Sequence, residues 1–351
     1  MYNLHIVYND CKKVKNNVDL SKFKNSTILI TGANGLIGGF LSDLFSYLND
    51  KYEYNIKLCL TSYSEPHHAK RVRHLIGRED IDYFSWDCSK AVDCSKLPEK
   101  IDYVFFCSGY GQPSKFLKNN VKTSLINVVG LESILSYMES GPGGSLMFLS
   151  SSEIYGSPPD EMLPTPEEYG GSYELDSNRS AYKVSKKLGE VLCKEYNKSE
   201  HIKTRIARVA LTYGPGALVS DQRVLQEFIF KANKEKQIKM LDQGKSIRNY
   251  LYISDSVEIL LNIILHGREL VYNVGGDTEP VTIHDLALMI GQHFDVDVLK
   301  GANNKSSNTF APRNVGLCMK RYRQEFKNYG DNIVDLRTGI ANTIKWFNLE
   351  D

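Results

Sequence analysis

The stretch "TILITGANGLIGGFLSDLF", residues 27–45, constrains the fold more than any other part of the chain. A strand-like apolar run enters Gly32, Gly35 and Gly38 and continues into a helical pattern carried by Leu36, Ile37, Phe40, Leu41 and Leu44. In this G-x-x-G-x-x-G spacing the first glycine permits a sharp exit from the strand, the second admits a pyrophosphate to the backbone, and the third lets helix and strand pack closely. The helix N-terminus adds unpaired N–H groups and a partial positive charge. Strand, turn and helix in this order predict a dinucleotide-binding unit.

Short apolar runs then alternate with helical segments as far as about Arg208. The predicted strands are residues 27–31, 56–61, 81–86, 102–107, 145–150 and 203–208, with a further one at 270–274. Alternation of this kind predicts an α/β fold, a Rossmann-type doubly wound parallel sheet with helices on both faces. "GPGG" at 141–144 and the long loop at 155–171 punctuate it. Beyond Tyr213 the pattern becomes mixed and ends in the amphipathic "LRTGIANTIKWF". The expected organisation is an N-terminal extension over 1–25, a dinucleotide-binding domain over 26–213 to which the chain returns at about 250–274, and a smaller substrate-binding lobe from 214–249 and 275–351. The extension reads either as a disordered arm or as a small cap helix.

Charge narrows the function. The chain carries 43 Lys plus Arg against 42 Asp plus Glu, so no excess of either sign would hold it on nucleic acid or an anionic membrane. Its 7 cysteines are scattered, without the paired spacing of a metal site or a disulfide framework. No apolar run approaches the ~18 residues of a membrane span, and the N-terminus lacks the profile of an export signal. A cytoplasmic protein with reduced thiols and no structural metal is the expectation.

The segment "FLSSSEIYG", residues 148–156, ends an apolar strand in Ser150, Ser151, Ser152 and Glu153, more polar chemistry than a core strand requires. About thirty residues later comes "RSAYKVSKKLGEVLCKEY". Tyr-x-x-x-Lys occurs at Tyr8/Lys12, Tyr47/Lys51 and Tyr182/Lys186, so the spacing alone selects nothing. Context selects the last pair: Val184, Leu188, Val191 and Leu192 form one apolar helix face, and Tyr182 and Lys186 share another. An ammonium beside a phenol, with a nicotinamide's positive charge nearby, is expected to lower its pKa toward neutrality and make it a usable base. Ser151 is then placed to hydrogen-bond the phenol and the substrate hydroxyl.

Asp87, closing the third strand, reads either as an adenine contact or as a helix N-cap. The second strand ends at Thr61 rather than at the acid that usually meets the adenosine ribose. With His67, Lys70 and Arg71 following, NADP stays open beside NAD.

The segments "TGANGLIGG", "SSSEIYG" and "RSAYKVSK" together resemble the extended short-chain dehydrogenase/reductase family of nucleotide-sugar epimerases, dehydratases and decarboxylases, over residues 26–349. Within it the chain resembles the UDP-glucuronic acid decarboxylases, whose Thr-Ser-Glu-Val-Tyr-Gly is similar to Ser151–Gly156 and whose Arg-Ser-x-Tyr is similar to Arg179–Tyr182. The resemblance implies bound NAD, held by Gly32, Asn34, Gly35, Leu36, Ile37, Gly38, Thr61, Asp87, Cys88, Cys107 and Ser108 together with Tyr182 and Lys186. It implies catalysis by Tyr182, Lys186, Ser151, Ser152, Glu153 and Arg313, the last in "APRNVGL". A nucleotide-sugar substrate would meet Gln112, Arg179, Arg223, Arg248 and Arg313, and the protein would be a homodimer through a helical interface. Two positions depart from the family: Leu211 stands for its asparagine and Gly216 for its loop arginine.

Such enzymes share oxidation at C4 of the sugar and differ in what the ketone makes easy. A 4,6-dehydratase needs two acid/base groups side by side, where this chain has Ser152 and Glu153. A C6 carboxylate becomes a β-keto acid and loses carbon dioxide without a base, and a second carboxylate would repel it. UDP-glucuronate decarboxylation is therefore the expected reaction, with C4 epimerisation, 4,6-dehydration or a non-catalytic regulatory role as the alternatives.

Overall fold

Consecutive aliphatic and aromatic residues with no polar alternation are what a parallel strand buried on both faces requires, and these runs become the centre of the molecule. A computed structural model describes residues 3–141, 143–172, 175–276, 279–301, 314–327 and 332–348. Strands β1 (Thr27–Thr31), β2 (Lys57–Ser62), β3 (Ile81–Ser85), β4 (Tyr103–Phe106), β5 (Gly144–Ser151), β6 (Ile202–Val209) and β7 (Val271–Val274) form one parallel sheet in the order β7-β6-β5-β4-β1-β2-β3. The order in which successive strands are added reverses at β1, whose Thr31 pairs with Thr61 of β2 on one side and Phe106 of β4 on the other. That switch point opens a crevice at the carboxyl ends of the strands, where ligands of such sheets bind.

Side-chain period two divides the core. Ile28, Ile30, Phe105, Met147 and Leu149 point to one layer, and Leu29, Val104, Phe106, Leu146 and Phe148 to the other. On the first face lie α1 (Leu4–Asn17) and α2 (Leu36–Tyr52). The second carries α3 (Pro113–Phe116), α4 (Asn120–Leu125), a π turn at Ile126–Gly130, α5 (Leu131–Ser140) and α6 (Ser180–Tyr196).

Residues 4–17 resolve the open question about the N-terminus in favour of a helix. Val7, Cys11 and Val14 recur at helical spacing and are fully buried. Lys13 pairs with Asp255, and the Tyr252 hydroxyl donates to Asp10 at 2.8 Å. The rest of the chain supplies α7 (Val224–Glu235), α8 (Ile253–His266), α9 (Ile283–Phe294), α10 (Lys320–Glu325) and α11 (Leu336–Trp346). Short strands join them: residues 237–239 with 297–299, and 247–248 between 281–282 and 314–315. Among the described residues no helix is long and apolar enough to cross a membrane, and no group of three metal-binding side chains gathers.

One helix face differs from the sequence expectation. Val184, Leu188 and Val191 of α6 are 37%, 44% and 46% exposed, while Tyr182, Lys186, Gly189 and Glu190 turn inward. The physical reason is a buried polar network behind β5. Glu190 accepts from Ser150 at 2.6 Å and from Arg208 at 3.0 and 2.8 Å, and Arg208 donates to the Tyr155 hydroxyl at 2.9 Å. Satisfied ion pairs of this kind are buried without an orphaned charge.

Candidate active site at the carboxyl ends of the strands

The glycine turn is built as its spacing requires. Gly32 has φ +65°, and a Cβ there would lie 2.7 Å from the Cys107 carbonyl oxygen. A Cβ on Gly38 would lie 2.6 Å from the Gly32 carbonyl oxygen. Gly35 caps α2 without a side-chain hydrogen bond, so the first-turn N–H groups at Leu36 and Ile37 are presented by backbone alone. This cradle, which side chains would fill, fits a dinucleotide pyrophosphate.

Around the cradle, the Ser108 N–H donates to Thr31 Oγ1 at 3.2 Å, and the Ser108 hydroxyl meets Cys88 Sγ at 3.1 Å. Asn34 donates to Ser64 at 3.4 Å and accepts from the Arg71 N–H at 2.8 Å. Thr61 is fully buried in the sheet, and its carbonyl accepts from Ala33 at 3.0 Å. Asp87 accepts from Ser89 N–H at 3.1 Å and from Lys122 at 2.9 Å, and the Lys122 ammonium lies 4.0 Å above the Tyr63 ring. Burial works against the charged Asp87 carboxyl, but Lys122 and Ser89 outweigh it and hold its pKa low. Arg71, one of the cations that kept NADP open, is turned away: it is buried and paired with Asp43 at 2.5 Å.

The catalytic candidates converge where β5 meets α6. Tyr182 is buried and hydrogen-bonded to the Ser151 hydroxyl. The protein's own groups do not by themselves tune this phenol toward neutrality. Burial dominates and pushes its pKa up to about 12, with the Ser151 hydrogen bond only partly opposing. Lys186 donates to the Leu149 carbonyl at 2.6 Å with its ammonium 4.7 Å above the Phe148 ring, and burial lowers its pKa to about 8.

Glu153 is gripped by Arg179 through two hydrogen bonds, Nε to Oε2 at 3.0 Å and Nη2 to Oε1 at 2.5 Å. Arg179, expected on the substrate, therefore holds a protein carboxylate in this structure. Arg223 is likewise engaged, bonded to Asp221 at 2.6–3.1 Å and to the Thr212 carbonyl at 2.9 Å. Arg248 lies within electrostatic reach of Glu153 and Arg179. Ser152 and Glu153 line a small cavity with Gly156, Thr165, Asn314 and Gly316. Gln112 caps α3, and its buried Oε1 has no hydrogen-bond partner among the described residues. Arg313 lies outside the described residues; the next residue, Asn314, pairs with Ile247 beside Arg248.

Two residues that border the candidate site escaped the sequence reading. Asn127, in the π turn, donates to Ser185 at 3.0 Å, and its buried Oδ1 has no partner among the described residues. A Cβ on Gly109 would lie 3.7 Å from that oxygen and 3.6 Å from Lys186 Nζ, so both groups border one space. A lone asparagine in the apolar "LINVVG" was the available signal. Phe116 stacks on Tyr182 with ring centroids 4.5 Å apart and an 11° interplanar angle, and Arg179 lies over the Phe116 ring at 5.2 Å. Nothing local marks that phenylalanine in the sequence.

Comparison with known proteins agrees with this geometry. UDP-glucuronic acid decarboxylase 1 of Xenopus tropicalis is 28% identical over 260 residues, covering 74% of this chain and 58% of that protein. UDP-glucuronic acid decarboxylase 6 of Arabidopsis thaliana is 29% identical over 280 residues, 79% of this chain and 78% of that one. The chain thus spans less than two thirds of the frog relative's length. Among solved structures, the UDP-glucuronic acid 4-epimerase from Bacillus cereus in complex with UDP-glucuronic acid and NAD superposes with TM-score 0.71 at 21% identity, over 92% of this chain and 99% of that one. TunA, an NAD dependent NDP-hexosamine 5,6-dehydratase, gives TM-score 0.74 at 17% identity, over 93% and 99%. Residues 28–275 match the NAD dependent epimerase/dehydratase family across the cradle, the Ser151–Tyr182 pair and the whole sheet, and the chain belongs to that family.

Proposed function

We propose that the protein modifies a nucleotide sugar by way of C4 oxidation, and that its reaction is decarboxylation of UDP-glucuronate. The observation that carries the reading is the bidentate grip of Arg179 on Glu153. A dehydratase needs two acid/base groups free to move protons beside C5 and C6. Here one position is Ser152, and the carboxylate at the other is neutralised by a guanidinium fork. A substrate carboxylate next to this pair meets little repulsion, and a β-keto acid loses carbon dioxide without a base. The decarboxylases among the curated relatives support the same reading.

NAD, held at Gly32, Gly35, Gly38 and the strand ends, supplies the hydride acceptor when bound. The chain's own groups do the rest. Tyr182 takes the C4 hydroxyl proton, and Ser151 bridges that hydroxyl and the phenol. Because burial holds the phenol at about 12 in the ligand-free arrangement, the cationic surroundings of a filled site must bring it down for turnover. Lys186 contributes its charge to that filled site, and Arg313 is assigned to the substrate carboxylate. NAD is favoured over NADP because Arg71 is sequestered by Asp43. The same reading places the dinucleotide over 26–213 with the return at about 250–274, and the substrate lobe at 214–249 and 275–351.

Incubation with UDP-glucuronate and NAD is expected to release carbon dioxide. A 4-keto-6-deoxy product from UDP-glucose or dTDP-glucose, or C4 inversion of UDP-glucuronate without gas release, would replace this reaction by dehydration or epimerisation. The exposed Val184, Leu188 and Val191, next to exposed Val121 and Leu125 of α4, form the face for a second copy of the chain. Sedimentation as a dimer, and as a monomer for Leu188→Glu, is the expected outcome; a wild-type monomer removes the interface.

A further inference from the structure

Several large tyrosines of the core are tied down at the hydroxyl. Tyr155 donates to Asn273 at 2.7 Å, Tyr252 to Asp10 at 2.8 Å and Tyr272 to Glu325 at 2.5 Å, and Tyr322 accepts from Asn262 at 2.8 Å. Tyr250 is 7% exposed, and among the described residues its hydroxyl has no hydrogen-bond partner. A phenylalanine would fill the same volume without leaving a buried donor unpaired, an arrangement that costs stability. An unmet hydroxyl in a native site therefore points to a missing ligand rather than to packing.

The surroundings say what kind of ligand. Tyr250 follows Arg248 by two residues between the short strands at 247–248 and 251–252. The positive charges of Arg248 and Arg223 both act on the phenol. Burial outweighs them and raises its pKa, so the group keeps its proton and serves as a donor. Arg248 in turn feels the charges of Glu153 and Arg179, which places this corner beside the candidate active site. A neutral donor within electrostatic reach of the Arg248 and Arg223 guanidinium groups suits an anionic oxygen better than a cation.

We infer that the Tyr250 hydroxyl is a ligand-binding group that donates to the diphosphate of the substrate, alongside Arg248. The inference rests on the nucleotide-sugar reading of the site. It assigns the hydroxyl a binding role, with no part in proton transfer at C4.

The test uses the full chain with saturating NAD, so that the glycine cradle is filled, and titrates inorganic pyrophosphate and UDP separately by calorimetry. Tyr250→Phe should weaken both about tenfold, the loss of one hydrogen bond to a charged group. Ligand-free Tyr250→Phe should melt no lower than wild type, and about 2 °C higher if the orphaned hydroxyl is relieved. Unchanged affinity for both probes, no uptake of either by wild type, or a lowered melting temperature that reveals a structural bond would each overturn the inference. Carbon dioxide release from UDP-glucuronate is a separate readout. If it fails while the pyrophosphate arm behaves as expected, the reaction is wrong and the Tyr250 site stands.

Discussion

At the Gly32 turn the binding surface is backbone, whereas around Glu153 it is made of side chains brought from distant stretches of the chain. The cradle uses residues within one strand, one turn and one helix, and its shape follows from contacts such as Gly38 against the Gly32 carbonyl. The substrate side joins Glu153 and Arg179 with Phe116, and brings residues 247–248 beside 314–315. The first is a steric device, intolerant of one added methyl. The second is an electrostatic device whose parts can be exchanged or rebalanced, which is where enzymes of one fold diverge in reaction.

The largest effect should come from the backbone side. Gly38→Ala puts a methyl group 2.6 Å from a carbonyl oxygen that cannot move without reshaping the turn. NAD binding, followed by calorimetry, should weaken by more than about a hundredfold, as expected when the close helix–strand approach is lost. Near wild-type affinity would break the comparison. On the substrate side, Arg179→Ala strands the Glu153 carboxylate in a site where the two side chains are 7% and 19% exposed. Unfolding in urea should show a loss of about 3 kcal/mol, with much of it recovered in Arg179→Ala/Glu153→Gln. A loss comparable to that of a surface pair would mean that the grip is incidental.

The smallest effect concerns a join between the two regions. Leu211, which stands for the family's asparagine, adopts φ +42°. A branched apolar residue in the left-handed region is strained, and asparagine tolerates it better. Leu211→Asn should therefore stabilise the protein by about 1 kcal/mol in urea. Destabilisation would show instead that the leucine side chain contributes more through packing than its backbone costs.

Much of the cofactor side was legible because its determinants are local. The strands at 27–31 and 81–86 and the glycine spacing report directly on a buried parallel sheet and a tight turn. The pairing of Tyr182 with Ser151 was legible through two motifs rather than one. The orientation of α6 was not. Its apolar stripe, Val184, Leu188 and Val191, looks like a core face by periodicity, and only the Ser150–Glu190–Arg208 network shows why the polar face is inside. The burial that raises the phenol's pKa was not legible for a related reason, since it is set by packing from distant parts of the chain.

The amino-acid sequence alone determined the parallel sheet, the phosphate cradle and the family, because hydrophobic period and glycine sterics act over a few adjacent residues. Only the tertiary structure decided that Arg179 neutralises Glu153, that Arg71 is hidden behind α2, and that the Tyr250 hydroxyl, within reach of the Arg248 charge, has no hydrogen-bond partner among the described residues. These are matters of charge, burial and distance between residues far apart in the chain, and they exist only once the lobes are folded together.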